Sequence, residues 1–199
     1  MLRVGLTGAM ATGKSVVGEE LEKLGCHLLK ADDLGHRLMQ KGGACYDQVV
    51  SLFGRAILDE NGNIERRRLA MVVFAEAGAL EKLNSIIHPA VFAFENEWFE
   101  RVEKSEERAI AVVEAAILIE TGSYKNFEKL IVTWCPEDIL VSRAMARNGW
   151  TELEVRRRLA KQMPADQKRS FADYVIETSG SIEETLEQTR TVYSALRSI

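Results

Sequence analysis

The chain has 199 residues, of which 46% are hydrophobic, and a formal net charge of −4. This length suits one domain or a core with small insertions, and the apolar fraction is enough for a sizeable core. The overall charge gives no indication of a nucleic-acid-binding protein. No apolar run approaches the roughly 20 residues needed to cross a bilayer. We therefore expect neither nucleic acid nor a membrane as a partner.

The three cysteines, Cys26, Cys45 and Cys135, are odd in number and widely spaced. They form no recognisable metal-binding or disulfide pattern. The N-terminus enters a predicted strand directly and lacks the charged-then-apolar layout of a signal peptide. A reducing, cytoplasmic setting is the simplest prediction, and a monomer or a weak homo-oligomer is expected.

The most informative segment runs from Gly8 to Ser15 and reads Gly-Ala-Met-Ala-Thr-Gly-Lys-Ser. It fits the G-x-x-x-x-G-K-[ST] pattern of phosphate-binding loops, with a predicted strand over 2–6 before it and a predicted helix over 15–24 after it. Backbone N–H groups of such a loop and the helix N-terminus converge on an anionic phosphate. Lys14 adds positive charge for the β and γ phosphates, and the Ser15 hydroxyl is placed to ligate Mg²⁺.

A second strand is predicted over 27–31, and Asp32 and Asp33 follow it where a helix begins. A carboxylate at this place can accept or orient the proton of a substrate hydroxyl during phosphoryl transfer. Asp is equally a preferred residue for capping a helix N-terminus. Spacing alone leaves both roles open.

The middle of the chain, from about residue 42 to 107, is mostly helical in pattern. A turn is predicted at Asn61-Gly62, and a helical apolar face is predicted to continue through 75–83. Pro89 precedes a long amphipathic stretch over 90–102. The run Arg66-Arg67-Arg68 is interpreted as a solvated helix face, with an anion site as the alternative.

Apolar runs over 109–113, 130–134 and 174–176 predict three further buried strands. Helices are predicted over 137–147, 151–162 and 182–196. Alternating strands and helices predict a parallel sheet with helices on both faces, and ligands bind at the carboxyl ends of its strands. We therefore expect the phosphate loop, Asp32 and Glu114 to converge, because they follow the first three strands.

Glu114 ends the third of these strands. An acid at this place resembles the Walker-B position, which holds Mg²⁺ directly or through water. The alternative is a polar residue that merely ends a buried strand.

Arg143 and Arg147 are four residues apart on a predicted helix and therefore share one face. Phosphoryl transfer concentrates negative charge, which arginines on a closing lid can offset while the lid excludes water. Exposed arginines on a charged surface are the alternative interpretation.

These features bear on three classes of protein. A small-molecule kinase fits the short length, the early phosphate loop and the arginine-bearing helix. A GTPase-type switch is disfavoured because no Asn-Lys-x-Asp segment occurs in the chain. A phosphate-loop ATPase or nucleic-acid enzyme is disfavoured by the length, the acidity and the lack of an extended basic surface.

Seven segments then occur in one order along nearly the whole chain: Val4–Ser15; Ala31–His36; Arg66 with Leu69 and Phe74; Leu83–Pro89; Ala116–Gly122; Arg143 with Arg147 and Gln162; and Ala172–Ser181. This ordered set resembles the dephospho-coenzyme A kinase family. A phosphate loop alone is unspecific, whereas the ordered set is highly specific.

The resemblance implies an α/β fold of the P-loop nucleoside-triphosphate hydrolase type, with three α/β/α layers and a parallel sheet of about five strands. Within a single domain over 1–199 it implies a core of about 1–32, 108–137 and 171–199. It implies a helical CoA-binding insertion over about 33–107 and a small helical lid over about 138–170.

The implied reaction is the transfer of the γ-phosphoryl group of ATP to the 3′-hydroxyl of the ribose of dephospho-CoA, with Mg²⁺ as cofactor. The products are coenzyme A and ADP, and the step is the last in coenzyme A biosynthesis. Another P-loop kinase acting on a nucleoside or nucleotide is the alternative.

The resemblance also implies roles for individual residues. The implied catalytic residues are Lys14, Asp32 and Arg143. The implied ATP-binding residues are Ala11, Thr12, Gly13, Lys14, Ser15, Val16, Arg143 and Arg147. Asp32, Arg66 and His88 are implied on the substrate side, although a lone histidine is more often structural. Ser15 is the implied Mg²⁺ ligand, and Glu114 is a second candidate.

Five residues depart from the family pattern. Lys30 stands where the first Asp of Asp-Ala-Asp is usual, which leaves one matched acid as the base. Ala9 and Ala11 replace loop glycines, so Ala11 must have a negative φ or tolerate strain. Thr178 replaces a common Asn near the adenine-side loop, where adenine contacts would rely on backbone. Ala116 replaces a frequent Pro.

Overall fold

The computed structural model describes residues Met1–Ile199 and contains a five-stranded parallel sheet. The strands are β1 (Leu2–Gly8), β2 (His27–Lys30), β3 (Ile110–Glu114), β4 (Lys129–Trp134) and β5 (Tyr174–Glu177). Their spatial order is β2-β3-β1-β4-β5, so the strand that leads into the phosphate loop lies at the centre. With helices on both faces, the sheet confirms the predicted three-layer α/β fold.

Nine α-helices lie between or after the strands along the chain. They are α1 (Lys14–Lys23), α2 (Leu34–Met39), α3 (Tyr46–Phe53), α4 (Arg66–Ala75), α5 (Ala79–Ser105), α6 (Glu137–Asn148), α7 (Glu152–Leu159), α8 (Ala165–Arg169) and α9 (Ile182–Arg197). Short 3₁₀ turns occupy Ala31–Asp33, Arg55–Ile57 and Ser123–Asn126. No helix is long and apolar enough to span a bilayer.

Two predicted helix boundaries in the middle of the chain are wrong. The apolar face predicted to continue over 75–83 is interrupted, because α4 ends at Ala75 and Gly78 adopts a left-handed φ of 82° before α5 begins. Conversely, α5 continues through Pro89, although proline removes a helical hydrogen bond. Ile86 and Ile87 before the proline and Ala90 after it pack on the same apolar cluster, which holds the two halves in one helix.

A third predicted helix is shorter than expected. The helix predicted over 151–162 ends at Leu159 in the structure. Pro164 follows closely, and a residue before proline disfavours helical backbone, so the chain leaves the helix before Met163. The three residues freed from the helix, 160–162, include the side chain that reaches the phosphate loop.

The chain divides into two compact units, Met1–Lys30 with Val102–Ile199, and Ala31–Arg101. The first contains the sheet, and α1 and α9 pack together on one of its faces. Its main apolar cluster contains Val4, Leu6, Val17, Leu21, Ile110, Val112, Ile131, Ile176, Val192 and Leu196. Alternate residues of β1 enter this cluster, as expected for a strand covered on both faces.

The second unit has an apolar core of its own. Its buried members are Cys45, Val49, Ile57, Ile64, Leu69, Val73 and Leu83. Five of them lie in α3, α4, α5 and the turn at Arg55–Ile57, whereas Cys45 is the N-cap residue of α3 and Ile64 lies just before α4. The 3.6-residue spacing of apolar residues in these helices explains why each buries one side.

Glu95 provides a pH-dependent test of packing along α5. Burial raises the pKa of Glu95 from its ordinary value of 4.5 to about 7. A carboxyl group whose folded pKa exceeds its unfolded pKa stabilises the fold below the unfolded value, and this contribution is lost as the pH rises through the folded value. Stability should therefore fall between about pH 4.5 and pH 7.

Replacement of Glu95 by Gln should remove this loss. We expect Glu95→Gln to raise the free energy of unfolding at pH 8 by about 2 kcal/mol and to leave it nearly unchanged at pH 5. Denaturant unfolding at the two pH values measures both. Glu97→Gln, on the same helix with its side chain 71% exposed, is the matched control. A gain of equal size at both pH values would contradict the assignment.

Candidate active site

The phosphate loop connects the centre of the sheet to α1 through two glycines that serve different purposes. Gly8 pairs in register with Thr133 of β4, and a Cβ on Gly8 would lie 2.6 Å from the Thr133 carbonyl oxygen. Only glycine permits this approach. Gly13 has a left-handed φ of 83° immediately before α1. The loop therefore turns closely enough for the N-terminus of α1 to point at the carboxyl ends of the strands.

Ala11 is the strained residue of the loop. Its φ is 62°, in the left-handed region that an L-residue with a Cβ disfavours. The side chain packs against two apolar clusters, one containing Leu140 of α6 and the other containing Val155 of α7. Of the two possibilities for Ala11, a negative φ or a tolerated strain, the structure has the second. Packing holds the strained backbone in place.

The ammonium group of Lys14 is bound by backbone carbonyl oxygens of the phosphate loop. The side chain is 9% exposed, and Nζ donates to the carbonyl oxygens of Gly8 at 3.1 Å and Ala9 at 3.2 Å. These carbonyls fix the ammonium within the concave side of the loop. A cation held in this way attracts the negative charge of a nucleotide phosphate.

Ser15 and Glu114 are brought together as the sheet topology predicts. β1 and β3 are adjacent, with Leu6 in register with Glu114. Ser15 Oγ donates to Glu114 Oε1 at 2.9 Å, although the two residues are 99 positions apart. The carboxylate is 6% exposed. A hydroxyl and a carboxylate are hard oxygen donors, so their chemistry suits Mg²⁺.

A row of threonine side chains, which the sequence patterns do not predict, hydrogen-bonds to the backbone of the phosphate loop. Thr12 Oγ1 donates to the Ala9 carbonyl at 2.8 Å and lies 2.7 Å from Thr133 Oγ1. The Thr133 hydroxyl also reaches the Thr7 carbonyl oxygen, at 3.3 Å. Thr178 Oγ1 donates to the Thr12 carbonyl at 2.9 Å. All three threonines are buried, so these bonds are made without water.

Arg143 joins this network rather than standing apart on a surface. Its guanidinium donates to the Thr178 carbonyl at 2.6 Å and to Thr178 Oγ1 at 3.4 Å. Burial raises the pKa of the nearby Cys135 thiol, so the sulfur stays neutral beside the arginine. Arg147, one turn further along α6, is exposed. The two arginines therefore differ in surroundings despite their shared spacing.

Gln162, just after α7, contacts the phosphate loop directly. Its Oε1 accepts the Met10 N–H at 3.0 Å. The local sequence around Gln162, a polar residue shortly before a proline, does not predict this contact, because 152 residues separate the two partners. Through this hydrogen bond, the segment between α7 and α8 is attached to the backbone of the phosphate loop.

The remaining predicted substrate residues belong to the unit Ala31–Arg101. Asp32 lies in the 3₁₀ turn before α2, Arg66 is the first residue of α4, and His88 lies within α5. All three are exposed. Asp33, and not Asp32, occupies the N-cap position of α2. Capping therefore does not account for Asp32.

Lys30, the departure from the family pattern at the end of β2, turns toward α1. Its Nζ lies 3.0 Å from Glu19 Oε1, and both side chains are largely exposed. The hydrogen bond to Glu19 raises the pKa of Lys30. The lysine thereby makes an ion pair with a helix residue, where the family usually has an acid.

Substitution of Ala11 tests the strain in the loop. A β-branched side chain is the least tolerated in the left-handed region, so Ala11→Val should lower the free energy of unfolding by about 2 kcal/mol. Ala11→Gly relieves the strain but loosens the unfolded chain, and should change it by less than about 1 kcal/mol. Denaturant unfolding of both variants measures the difference. Equal stability of Ala11→Val and the parent protein would contradict the strained backbone.

Comparisons with known proteins agree with this geometry. The dephospho-CoA kinase family model matches residues 2–184. A dephospho-CoA kinase of Aquifex aeolicus is 44% identical over 197 residues, 98% of each chain. TT1252 of Thermus thermophilus superposes with a TM-score of 0.85 at 30% identity, covering 98% of this chain and 96% of that one. A dephospho-CoA kinase of Campylobacter jejuni superposes with a TM-score of 0.75 at 25% identity, over 98% and 97%. The chain therefore belongs to the dephospho-CoA kinase family.

Proposed function

We propose that this chain transfers the γ-phosphoryl group of ATP to the 3′-hydroxyl of the ribose of dephospho-CoA. The products are coenzyme A and ADP, in the last step of coenzyme A biosynthesis. The observation that carries the proposal is a phosphate loop with buried Lys14 and a Ser15–Glu114 contact, in a chain that matches this family over 2–184. The family match does not favour the alternative of a nucleoside or nucleotide kinase.

On the donor side, Lys14 and the loop N–H groups hold the ATP phosphates. The proposed ATP-binding residues are Ala11, Thr12, Gly13, Lys14, Ser15, Val16, Arg143 and Arg147. Because the transition state is loose, positioning and charge compensation do most of the work. The two arginines of α6 offset charge on the transferring group, and the bonds of Arg143 to Thr178 support a role beside the loop.

Mg²⁺ is the proposed cofactor, and the donor set fits it. The Ser15 hydroxyl and the Glu114 carboxylate would hold the ion, directly or through water. When bound, Mg²⁺ supplies positive charge to the β and γ phosphate oxygens. Ser15 and Glu114 orient each other through their hydrogen bond of 2.9 Å.

On the acceptor side, Asp32 accepts the proton of the 3′-hydroxyl or aligns it for attack. Arg66 and His88 contact the CoA side of the substrate. Support comes from the exposure of these three side chains and from the position of Asp32 in the turn that follows β2. Residues 33–107 would act as the substrate-binding insertion and 138–170 as the lid.

A cytoplasmic enzyme that is a monomer or a weak homo-oligomer completes the proposal. Cys26, Cys45 and Cys135 are unpaired and buried, which suits a reducing compartment.

Acceptor preference tests the proposed function most simply. The purified protein is assayed with ATP and dephospho-CoA, adenosine or AMP, and kcat/KM is compared. We expect dephospho-CoA to exceed the others by about 1,000-fold or more, because binding energy from the distant part of the substrate is used to orient the reacting hydroxyl. A higher kcat/KM for adenosine or AMP would show that another kinase activity is the correct one.

Adjacent carboxylates allow a matched test of the proposed base. Loss of a general base lowers kcat by about 100-fold or more, so Asp32→Asn should do so with little change in the KM for ATP. Asp33→Asn, at the neighbouring exposed carboxylate, should stay within about threefold of the parent. Steady-state kinetics with dephospho-CoA measure both variants. Unchanged turnover in Asp32→Asn, or a larger loss in Asp33→Asn, would refute the assignment of Asp32.

A further inference from the structure

Lys168 of α8 is a fully buried lysine in the unit that contains the sheet. Its side chain is 0% exposed, and Nζ lies 2.8 Å from Glu120 Oε1 and 3.0 Å from Oε2. It also donates to the Ala116 carbonyl oxygen at 2.6 Å. Removing an ammonium from water costs several kcal/mol unless the site satisfies it, and here three oxygens do so. The arrangement therefore ties α8 to the segment that follows β3.

Glu120 binds the lid segment a second time. Its Oε1 accepts the Met163 N–H at 2.9 Å. Burial raises the pKa of Glu120, but the hydrogen bonds from Lys168 and Met163 outweigh it and leave the pKa below its ordinary value. The carboxylate therefore stays charged near neutral pH. One side chain thus holds both ends of the segment 163–168.

Both ends of this connection lead to the phosphate loop. Met163 follows Gln162, whose Oε1 accepts the Met10 N–H at 3.0 Å. On the other side, the Ala116 carbonyl also accepts Thr7 Oγ1 at 3.3 Å, and Thr7 directly precedes the loop glycine. Lys168 is therefore linked to the phosphate loop through two short paths of hydrogen bonds.

We propose that Lys168 is a positioning residue, whose ion pair with Glu120 holds the segment 160–168 so that Gln162 stays on the Met10 N–H of the phosphate loop. For its effect on turnover this inference rests on the proposed function. Stability alone does not explain the pair, since a well-packed apolar replacement of a buried ion pair is often neutral or stabilising. An apolar pair in place of Lys168 and Glu120 would provide no acceptor for the Met163 N–H, which now donates to Glu120.

A double-mutant cycle between Lys168 and Gln162 tests the catalytic consequence. Lys168→Met and Gln162→Ala should each lower kcat by about tenfold, because a misplaced loop loses orientation of the transferring group. The double variant should be no worse than about tenfold, since both changes act on one contact. Lys129→Met removes a partly exposed ion pair with Asp173 and should keep kcat within about twofold. Independent, multiplying losses would overturn the inference.

Hydrogen exchange provides a readout that needs no acceptor substrate. In Lys168→Met the Met163 amide should exchange at least about tenfold faster, and the Met10 amide should follow, while Val112 in the central sheet stays unchanged. If Lys168 acted only locally, exchange would accelerate at the Met163 amide alone. That outcome would refute the link to the phosphate loop. If the parent protein transferred no phosphoryl group to dephospho-CoA, the proposed function would be refuted. The hydrogen-exchange result would still decide this inference.

Should Lys168→Met fail to fold, Glu120→Gln is the second variant. Glutamine keeps the size of the Glu120 side chain and one acceptor oxygen, and it removes the charge that Lys168 pairs with. The same acceleration at Met163 and Met10 is expected. Protection of both amides equal to that of the parent would contradict the proposal.

Discussion

The structure depends on one constraint, which is that the backbone of the phosphate loop must turn tightly between β1 and α1. Gly8 permits the approach to Thr133, Gly13 and Ala11 adopt left-handed φ values, and Thr12 ties the turn to the Ala9 carbonyl. The left-handed backbone of Ala11 would be unfavourable in an isolated peptide. It persists because buried neighbours over-determine the loop, and this preorganisation lets backbone dipoles stabilise charge without rearrangement.

The order of the sheet explains why the supporting groups come from distant parts of the chain. With β1 between β3 and β4, the residues that end these strands meet beside the loop. Glu114 reaches Ser15 from one side, and Thr133 reaches Thr12 from the other. Thr178, directly after β5, extends the same row outward to Arg143. The position of each group follows from strand register, and the chemistry of the site follows from that position.

The parts that could be predicted from the sequence are those encoded by local pattern or by topology. The strand, loop and helix at the N-terminus have a known motif, and the Ser15–Glu114 contact follows from parallel strands meeting at one edge. The contact between Thr178 and Thr12 could not be predicted, since it joins residues 166 positions apart through a hydroxyl. Thr133 offered a signal, as the polar residue within a buried apolar run. Lys168 offered none, because a charged residue on a short polar helix resembles a solvated one. Roles of Asp32, Arg66 and His88 stay predictions from the family resemblance.

The central claim is that this loop directs a phosphoryl group from ATP to one hydroxyl of dephospho-CoA. Phosphorus NMR of the reaction mixture tests it directly, with Lys14→Met as the inactive reference. The account predicts that ADP and a new 3′-phosphomonoester resonance appear in equal amounts with the parent protein, and that Lys14→Met forms both at least about 100-fold more slowly. ADP with inorganic phosphate alone, or a phosphate ester on another hydroxyl, would contradict it.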